Sequence, residues 1–167
     1  MSAPILPATI TEWDKIDHFE PSEFQGKLHL LDHRVPYVID KLRKRIGGRL
    51  VPSPVGGAIA REGKKHKSSQ HYANPQQGIY STAIDLMSPD IDLFTVFREA
   101  QEMSEIGGIG LYPDWNPFPG VHIDLRLRKP GGAPAIWMAK KVIDDKGGSK
   151  QVYVGIDWDY INQRAIV

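Results

Sequence analysis

The sequence predicts an α+β fold in which helices come first and mostly antiparallel strands follow, with one helix between them. Two observations predict this class. A helical stripe of apolar residues in the first third of the chain is closed by Gly47-Gly48. The last third holds apolar runs typical of strands, and Asp145–Ser149 has the composition of a hairpin turn between two of them.

The N-terminal part is predicted to contain an arm, a helical turn and one helix. We expect residues 1–17 to form an extended arm and residues 18–167 to form a single domain. Phe19–Phe24 is predicted as a short helical turn, because Pro and Ser stand at its start. The helix that follows has apolar residues at helical spacing: Leu31, Val35, Val38, Leu42 and Ile46.

The rest of the chain is predicted to contain short strands, a long loop and a second helix. The polar, Gly-rich residues 56–79 are expected to form a functional loop. The second helix is predicted to start at Ser88-Pro89-Asp90 and to end at Gly107-Gly108. We expect strands at Arg49–Val51, Thr82–Leu86, Ile109–Tyr112, Val121–Arg128, Ile136–Ile143 and Gln151–Ile156.

Composition places the chain among ordinary globular proteins. Its 167 residues are 41% hydrophobic and 25% charged, and the net charge of +1 does not by itself indicate a nucleic-acid partner. The sequence has no cysteine, so His and carboxylates are the only strong metal ligands available. No apolar run approaches the roughly 18 residues of a membrane span, and we expect no signal peptide.

Two short segments carry the residue types of a metal site. Ser69-Gln70-His71 leads to Ala83-Ile84-Asp85, and the second segment runs from Gly120 to Arg126. Together they offer two histidines and an aspartate, and a hydrolytic zinc site uses three such ligands and leaves a fourth position for water. The second segment alternates aliphatic and polar residues, which predicts a strand that projects these side chains from one face: His122, Asp124 and Arg126.

Taken in order, the motifs resemble the hedgehog-type family of zinc peptidases. That family includes D-alanyl-D-alanine carboxypeptidases and the L-alanyl-D-glutamate endopeptidases of phage endolysins. The family pattern is Ser-x-His, Gly-x-Ala-x-Asp, Gly-x-Gly-x-Tyr-Pro, His-x-Asp-x-Arg and a Trp; in this sequence Ser81 stands in place of the Gly of the second motif. The segments that match it are Ser69–His71, Ala83–Asp85, Gly108–Pro113, His122–Arg126 and Trp137.

The resemblance implies a hedgehog or D,D-peptidase-like fold in which His71, Asp85 and His122 hold Zn²⁺. It implies hydrolysis of peptidoglycan stem peptides by a phage-encoded enzyme. Such an enzyme would be made in the host cytoplasm and act at the cell wall after release, or be carried in a virion with phage particle or tail proteins as partners. The alternative is a non-catalytic virion or wall-binding protein that keeps the fold.

Amide hydrolysis also needs a proton acceptor and a substrate site. Several relatives have an acidic residue where Pro119 stands here, so we expect Asp124 to be the general base, with Asp114 as the second candidate. The rival role of Asp124 is to orient His122 or to bind Arg126. We expect the substrate walls to be cationic and aromatic: Arg61, Arg126, Tyr112 and Trp137.

Relative to the family pattern, residues 72–80 form an insertion between His71 and Asp85. Because this insertion directly follows the first ligand, it must border the metal site. We expect it to form a rim that leaves the site open, because it is polar and contains turn formers. The opposite outcome is a covered site in which His66, Asn74 or Gln77 fills the fourth ligand position.

Overall fold

A six-stranded mixed sheet and three α-helices form the part of the chain that the computed structural model describes, residues 5–145 and 147–164. The α-helices are α1 (Arg34–Ile46), α2 (Leu93–Glu102) and α3 (Trp158–Arg164). The strands are β1 (Val51–Pro52), β2 (Ala83–Met87), β3 (Gly108–Tyr112), β4 (Gly120–Asp124), β5 (Ala135–Ile143) and β6 (Ser149–Val154). Short 3-10 helices cover Ala8–Ile10, Trp13–Lys15, Pro21–Phe24, Leu28–Leu30, Lys64–His66 and Pro75–Gln77.

The strands follow the order β1-β2-β4-β3-β5-β6 across the sheet. Neighbouring strands are antiparallel except β3 and β5, which are parallel. The predicted α+β class with mostly antiparallel strands is therefore confirmed.

The two faces of the sheet carry different kinds of side chain. One face is aliphatic and joins the helices in a single core, which includes these strand residues: Ile84, Leu86, Ile109, Leu111, Val121 and Ile123. Side chains alternate between the faces of a strand, so their neighbours in sequence point the other way. On that second face Asp85 pairs with His122, His122 with Gly110, and Gly110 with Trp137, which forms one row across four strands.

Helix α1 forms as its apolar stripe predicts. It begins after Asp32, whose carboxylate accepts hydrogen bonds from the Arg34 backbone N–H and guanidinium. It ends at Gly47, which has the left-handed φ of +66° that glycine adopts without strain. Its stripe is buried in the core through Val35, Val38 and Leu42.

Several element boundaries differ from the prediction, by the most residues in α2 and β4. Helix α2 starts late because Asp92, rather than Ser88, caps it by accepting from the Thr95 N–H, and it ends before Met103 adopts an extended conformation. Strand β4 stops at Asp124 rather than Arg128, and Leu127 is 95% exposed. Helix α3 was not predicted.

The N-terminal residues lie against the domain. Ala8 and Ile16 belong to the same core as the sheet, and the Thr11 hydroxyl donates to the His33 carbonyl. Trp13 makes an edge contact with Phe24. Among the described residues, no helix has the length and apolar character needed to cross a membrane.

Candidate metal centre

Two strands and one loop deliver the three central side chains. Asp85 on β2 and His122 on β4 are direct cross-strand partners, so their side chains leave the sheet side by side. His71 comes from the loop that precedes β2. Its carbonyl accepts from the Arg61 N–H at 2.7 Å, and its own N–H donates to the Ser69 hydroxyl at 3.2 Å. The Ser-x-His spacing therefore fixes the loop as well as supplying the histidine.

The three side chains converge on one point and are buried. His71 Nε2 lies 3.1 Å from Asp85 Oδ1 and 3.0 Å from His122 Nδ1, and His122 Nδ1 lies 2.9 Å from Asp85 Oδ1. A tetrahedral ion with ligand bonds of about 2.0–2.2 Å separates its ligand atoms by about 3.3–3.6 Å. The triangle is thus within a few tenths of an ångström of metal size, and these residues form a group that can hold a metal ion.

The hydrogen-bond pattern of this cluster fits a cation site. His122 Nε2 donates to Asp124 Oδ2 at 3.0 Å, so in the neutral ring the lone pair is on Nδ1, which faces Asp85 and His71. His71 Nδ1 is buried and has no hydrogen-bond partner among the described residues. Either neutral tautomer of His71 leaves Nδ1 without a partner, and an ion on Nε2 would not change this. With the His71 proton on Nδ1 and the His122 proton on Nε2, the three converging atoms are all acceptors, which is the arrangement that a cation needs.

Charge and burial shift the pKa values of the cluster in opposite directions. Burial opposes ionisation of Asp85, but hydrogen bonds from His122 and His71 prevail and lower its pKa to about 2. Burial lowers the pKa of His71 and keeps it neutral. Burial also opposes charge on His122, yet hydrogen bonds to Asp124 and Asp85 raise the pKa of His122. The cluster therefore presents one carboxylate to any ion that replaces the His122 proton.

Asp124 supports His122 from behind. Its carboxylate is 0% exposed and accepts from Arg126 Nε at 2.8 Å and from the Arg126 N–H at 3.0 Å, in addition to His122. Desolvation opposes its charge, but the bonds from His122 and Arg126 lower the pKa of Asp124 to about 2. A Cβ on Gly108 would lie 2.2 Å from Asp124 Oδ2, so glycine at this position makes room for the carboxylate.

Trp137 closes the other side of His122. The two rings lie 5.1 Å apart between centroids, and the Arg126 guanidinium lies 5.3 Å from the indole centroid. A Cβ on Gly110 would lie 2.5 Å from the indole, so the second glycine of the Gly-x-Gly motif lets Trp137 lie flat across β3. Packing therefore explains both glycines of the Gly-x-Gly motif, Gly108 and Gly110.

A groove of about 370 Å³ opens directly onto the cluster. Its walls hold the predicted substrate residues, since Arg61, Arg126, Tyr112 and Trp137 all line it. Arg61 Nε donates to the Gly57 carbonyl, and the ion pairs among the described residues do not include Arg61. Burial raises the pKa of Tyr112, so its phenol stays protonated, and its oxygen accepts from Trp137 Nε1 at 3.5 Å.

Neither candidate base lines this groove. Asp124 faces the back of His122, which is the geometry of its rival role as an orienting residue. Asp114 binds α3 instead, where it accepts from the Tyr160 hydroxyl at 2.5 Å and from Arg164 Nε at 2.8 Å. Asp85 is the only carboxylate among the described residues that line the groove.

No residue of the insertion, residues 72–80, is among the described residues that line the groove, and residues 72–76 line a separate cavity instead. His66, Asn74 and Gln77 are absent from the residues that line the groove within the described part of the chain. Asn74 instead pairs with Ile79 in an isolated bridge and donates from its side chain to the Tyr72 hydroxyl. The side of the cluster that faces the groove therefore stays open.

Four residues that line the groove were not predicted as site residues: Ser68, Ser69, Gln70 and Tyr153. Tyr153 pairs with Ala139, which lies two residues after Trp137 on the same face of the sheet. The register of the predicted hairpin was the signal that could have found it. Gln70 lies inside the Ser-x-His motif but accepts from Thr82, so its position depends on the loop fold.

Comparison with known proteins adds no relative, since no family model, curated protein or solved structure matches the chain.

Proposed function

We propose that the chain is a zinc-dependent peptidase of hedgehog or D,D-peptidase-like fold that hydrolyses peptidoglycan stem peptides, encoded by a phage. One observation carries the proposal. A buried His-Asp-His triangle of metal-ligand size lies at the base of an open groove with cationic and aromatic walls. A structural zinc site is closed by four protein ligands, whereas a catalytic site keeps one position open.

His71, Asp85 and His122 would hold the ion. Zinc bound there supplies Lewis-acid activation of water and of the scissile carbonyl. Two histidines and one carboxylate match the ligands that zinc accepts in hydrolytic sites, and Asp124 holds the His122 tautomer that leaves Nδ1 free.

The groove residues supply binding and orientation. The Tyr112 phenol stays neutral and can donate a hydrogen bond to a carbonyl oxygen in the groove, the role of an oxyanion donor. Arg61 presents its guanidinium to the same groove and suits a substrate carboxylate, which it can bind in a bidentate way. Changing Arg61 to Lys keeps the charge but removes the fork, so we expect a higher KM with a smaller change in kcat.

A second candidate function is a metal-binding module without catalysis, as part of a virion or of a wall-binding protein. The observation that favours it concerns the proton acceptor. Asp85 is the only carboxylate among the described groove-lining residues, and its pKa of about 2 makes it a weak base.

One experiment separates the two functions. Zinc-loaded protein is incubated with purified peptidoglycan and with isolated stem peptides, and the products are identified by mass spectrometry. The peptidase proposal expects new amine and carboxyl ends in the peptide, and none with His122→Ala. Intact peptides together with retention on sedimented peptidoglycan would instead support the non-catalytic module.

A further inference from the structure

A cleft of about 570 Å³ lies on the helix side of the sheet, between α1, the loop that follows α2 and the segment that follows β4. Its volume is in the range of small-molecule sites, about 300–1,000 Å³. Arg126 lines both this cleft and the groove, but its guanidinium binds Asp124 and lies 5.3 Å from the Trp137 ring centroid, on the metal side. The proposed function does not use this cleft.

Three parts of the chain form the walls of this space, which we call the α1 cleft. Helix α1 contributes one stripe of lining residues: Arg34, Tyr37, Val38 and Lys41. Positions i, i+3, i+4 and i+7 share one face of a helix, so these four side chains point to the cleft together. Residues 104–105 and residues 125–128 form the other walls.

Part of the α1 cleft is apolar. Val38 belongs to the core, Tyr37 and Leu125 pack against that core, and all three line the cleft. Leu127 also lines it but is 95% exposed, so almost nothing within the described part of the chain covers this side chain. Covering apolar atoms of a leucine is favourable, because it removes them from water. The apolar part of a ligand is therefore stabilised by contact with this wall.

Positive charge is in excess around the α1 cleft. Arg34, Lys41 and Arg128 line it, and Glu105 is the only carboxylate among the described lining residues. Glu105 pairs with Lys41, and Arg34 binds the buried Asp32. Within the described part of the chain, Arg128 belongs to no ion pair. Two carboxylates therefore face three cations, and one positive charge remains unbalanced.

The unbalanced charge is fixed at one end of the cleft. The Arg128 guanidinium donates to four backbone carbonyls: Gln101, Met103, Ile106 and Gly132. These bonds account for at most four of its five N–H donors, so one N–H stays available for an anion. Three of the four carbonyls belong to the end of α2 and the loop after it, and Lys41 reaches the same loop through Glu105. Both cations therefore lie beside the loop that follows α2.

We propose that the α1 cleft binds a small organic anion with an apolar body, of the class of medium-chain alkyl carboxylates. The carboxylate lies beside the loop that follows α2, where Arg128 and Lys41 provide the positive charge. The alkyl chain lies against Leu125 and Leu127. The excess charge selects an anion over a neutral ligand, and the apolar wall selects an organic anion over an inorganic one. The inference goes beyond the proposed function, because the cleft lies on the opposite side of the sheet from the metal centre.

The test uses octanoate and octanol, which share an alkyl chain and differ in charge, and measures their binding to the zinc-loaded protein by calorimetry. We expect the wild type to bind octanoate about three- to tenfold more tightly than octanol. Lys41→Gln should weaken octanoate binding about two- to fivefold and Glu105→Gln should strengthen it by a similar factor, because the two changes shift the charge of the cleft in opposite directions. Octanol binding should not respond to either change. Opposite effects on one ligand cannot arise from a loss of folding.

Two controls match these variants. Lys44→Gln removes an exposed lysine of α1 that does not line the cleft, and it should leave the binding of both probes unchanged. Leu127→Ser should weaken the binding of both probes about three- to tenfold, because it removes apolar contact. Val55→Ser, at a 60% exposed valine outside the cleft, should weaken neither.

Three results would overturn the proposal. Octanoate binding that ignores the Lys41 and Glu105 changes and is lost from zinc-free protein would place the carboxylate at the metal centre instead. Equal affinity for octanoate and octanol would remove the role of charge, and absence of octanoate binding would remove the site. None of these results bears on the peptidase, whose test measures cleavage products.

Discussion

Replacing Asp124 by Asn tests whether this residue orients His122 or removes a proton from the attacking water. Asn has nearly the same shape, and its amide oxygen can still accept from the Arg126 N–H and guanidinium. Asn has only one acceptor oxygen, so it cannot replace both Oδ2, which accepts from His122 Nε2 and Arg126, and Oδ1, which accepts from the Arg126 N–H. Where its NH₂ group takes the Oδ2 position, it faces His122 Nε2 and favours the tautomer with the proton on Nδ1. That atom points at Asp85 and His71, so the proton occupies the position of the metal bond.

Loss of such an orienting partner costs about 10- to 100-fold in metal affinity, or about 1.4–2.7 kcal/mol. We expect Asp124→Asn to weaken zinc binding by that factor in competition titrations with a chromophoric chelator. Asp114→Asn is the matched control and should leave zinc affinity unchanged, because Asp114 binds α3 instead. Unchanged zinc affinity in Asp124→Asn together with lost peptidase activity would refute this reasoning and restore the role of Asp124 as general base.

Two further predictions concern packing and pH. Gly110→Ala places a methyl group against the Trp137 indole, so we expect it to lower the free energy of unfolding, measured in urea, by about 1–3 kcal/mol. In a Trp137→Ala background the same change should cost much less. Equal costs in both backgrounds would contradict the contact. Burial opposes the charge of Asp114, but hydrogen bonds from Tyr160 and Arg164 prevail and hold the pKa of Asp114 below its usual value. The stabilisation of α3 by the Asp114 carboxylate is therefore present above about pH 4 and is lost as the pH falls further. The hydrogen-exchange protection factors of the α3 amides, taken relative to the intrinsic rate at each pH, should therefore fall below that pH in the wild type. A pH profile of protection unchanged by Asp114→Asn would contradict the assignment.

The sequence predicted the parts of the fold that follow from periodic patterns. The apolar stripe of α1 and the Gly47 stop are local signals, and the structure contains both. The grouping of His71, Asp85 and His122 was also accessible, because the resemblance in motif order implies it. The triangle that they form shows that the insertion does not separate the first two ligands.

The remaining features depend on contacts between distant residues. Strand β4 ends early because the Asp124 carboxylate binds the backbone and side chain of Arg126, and alternation cannot show where a side chain folds back. From the sequence, Asp114 was a candidate general base, but in the structure its carboxylate accepts hydrogen bonds from Tyr160 and Arg164 of α3. A short helix with one buried residue, Ile161, gives little periodic signal, so neither α3 nor its partnership with Asp114 was predictable.

The central claim is that His71, Asp85 and His122 bind one zinc ion with an open coordination position. Protein purified with zinc and washed of weakly bound ions is analysed for metal content by mass spectrometry and for coordination by X-ray absorption. The account predicts about one zinc per chain, with ligand bonds of roughly 2.0–2.2 Å from two histidines, one carboxylate and one water, and loss of the zinc in His122→Ala. Stoichiometric zinc in His122→Ala, or a fourth protein ligand in the wild type, would contradict it.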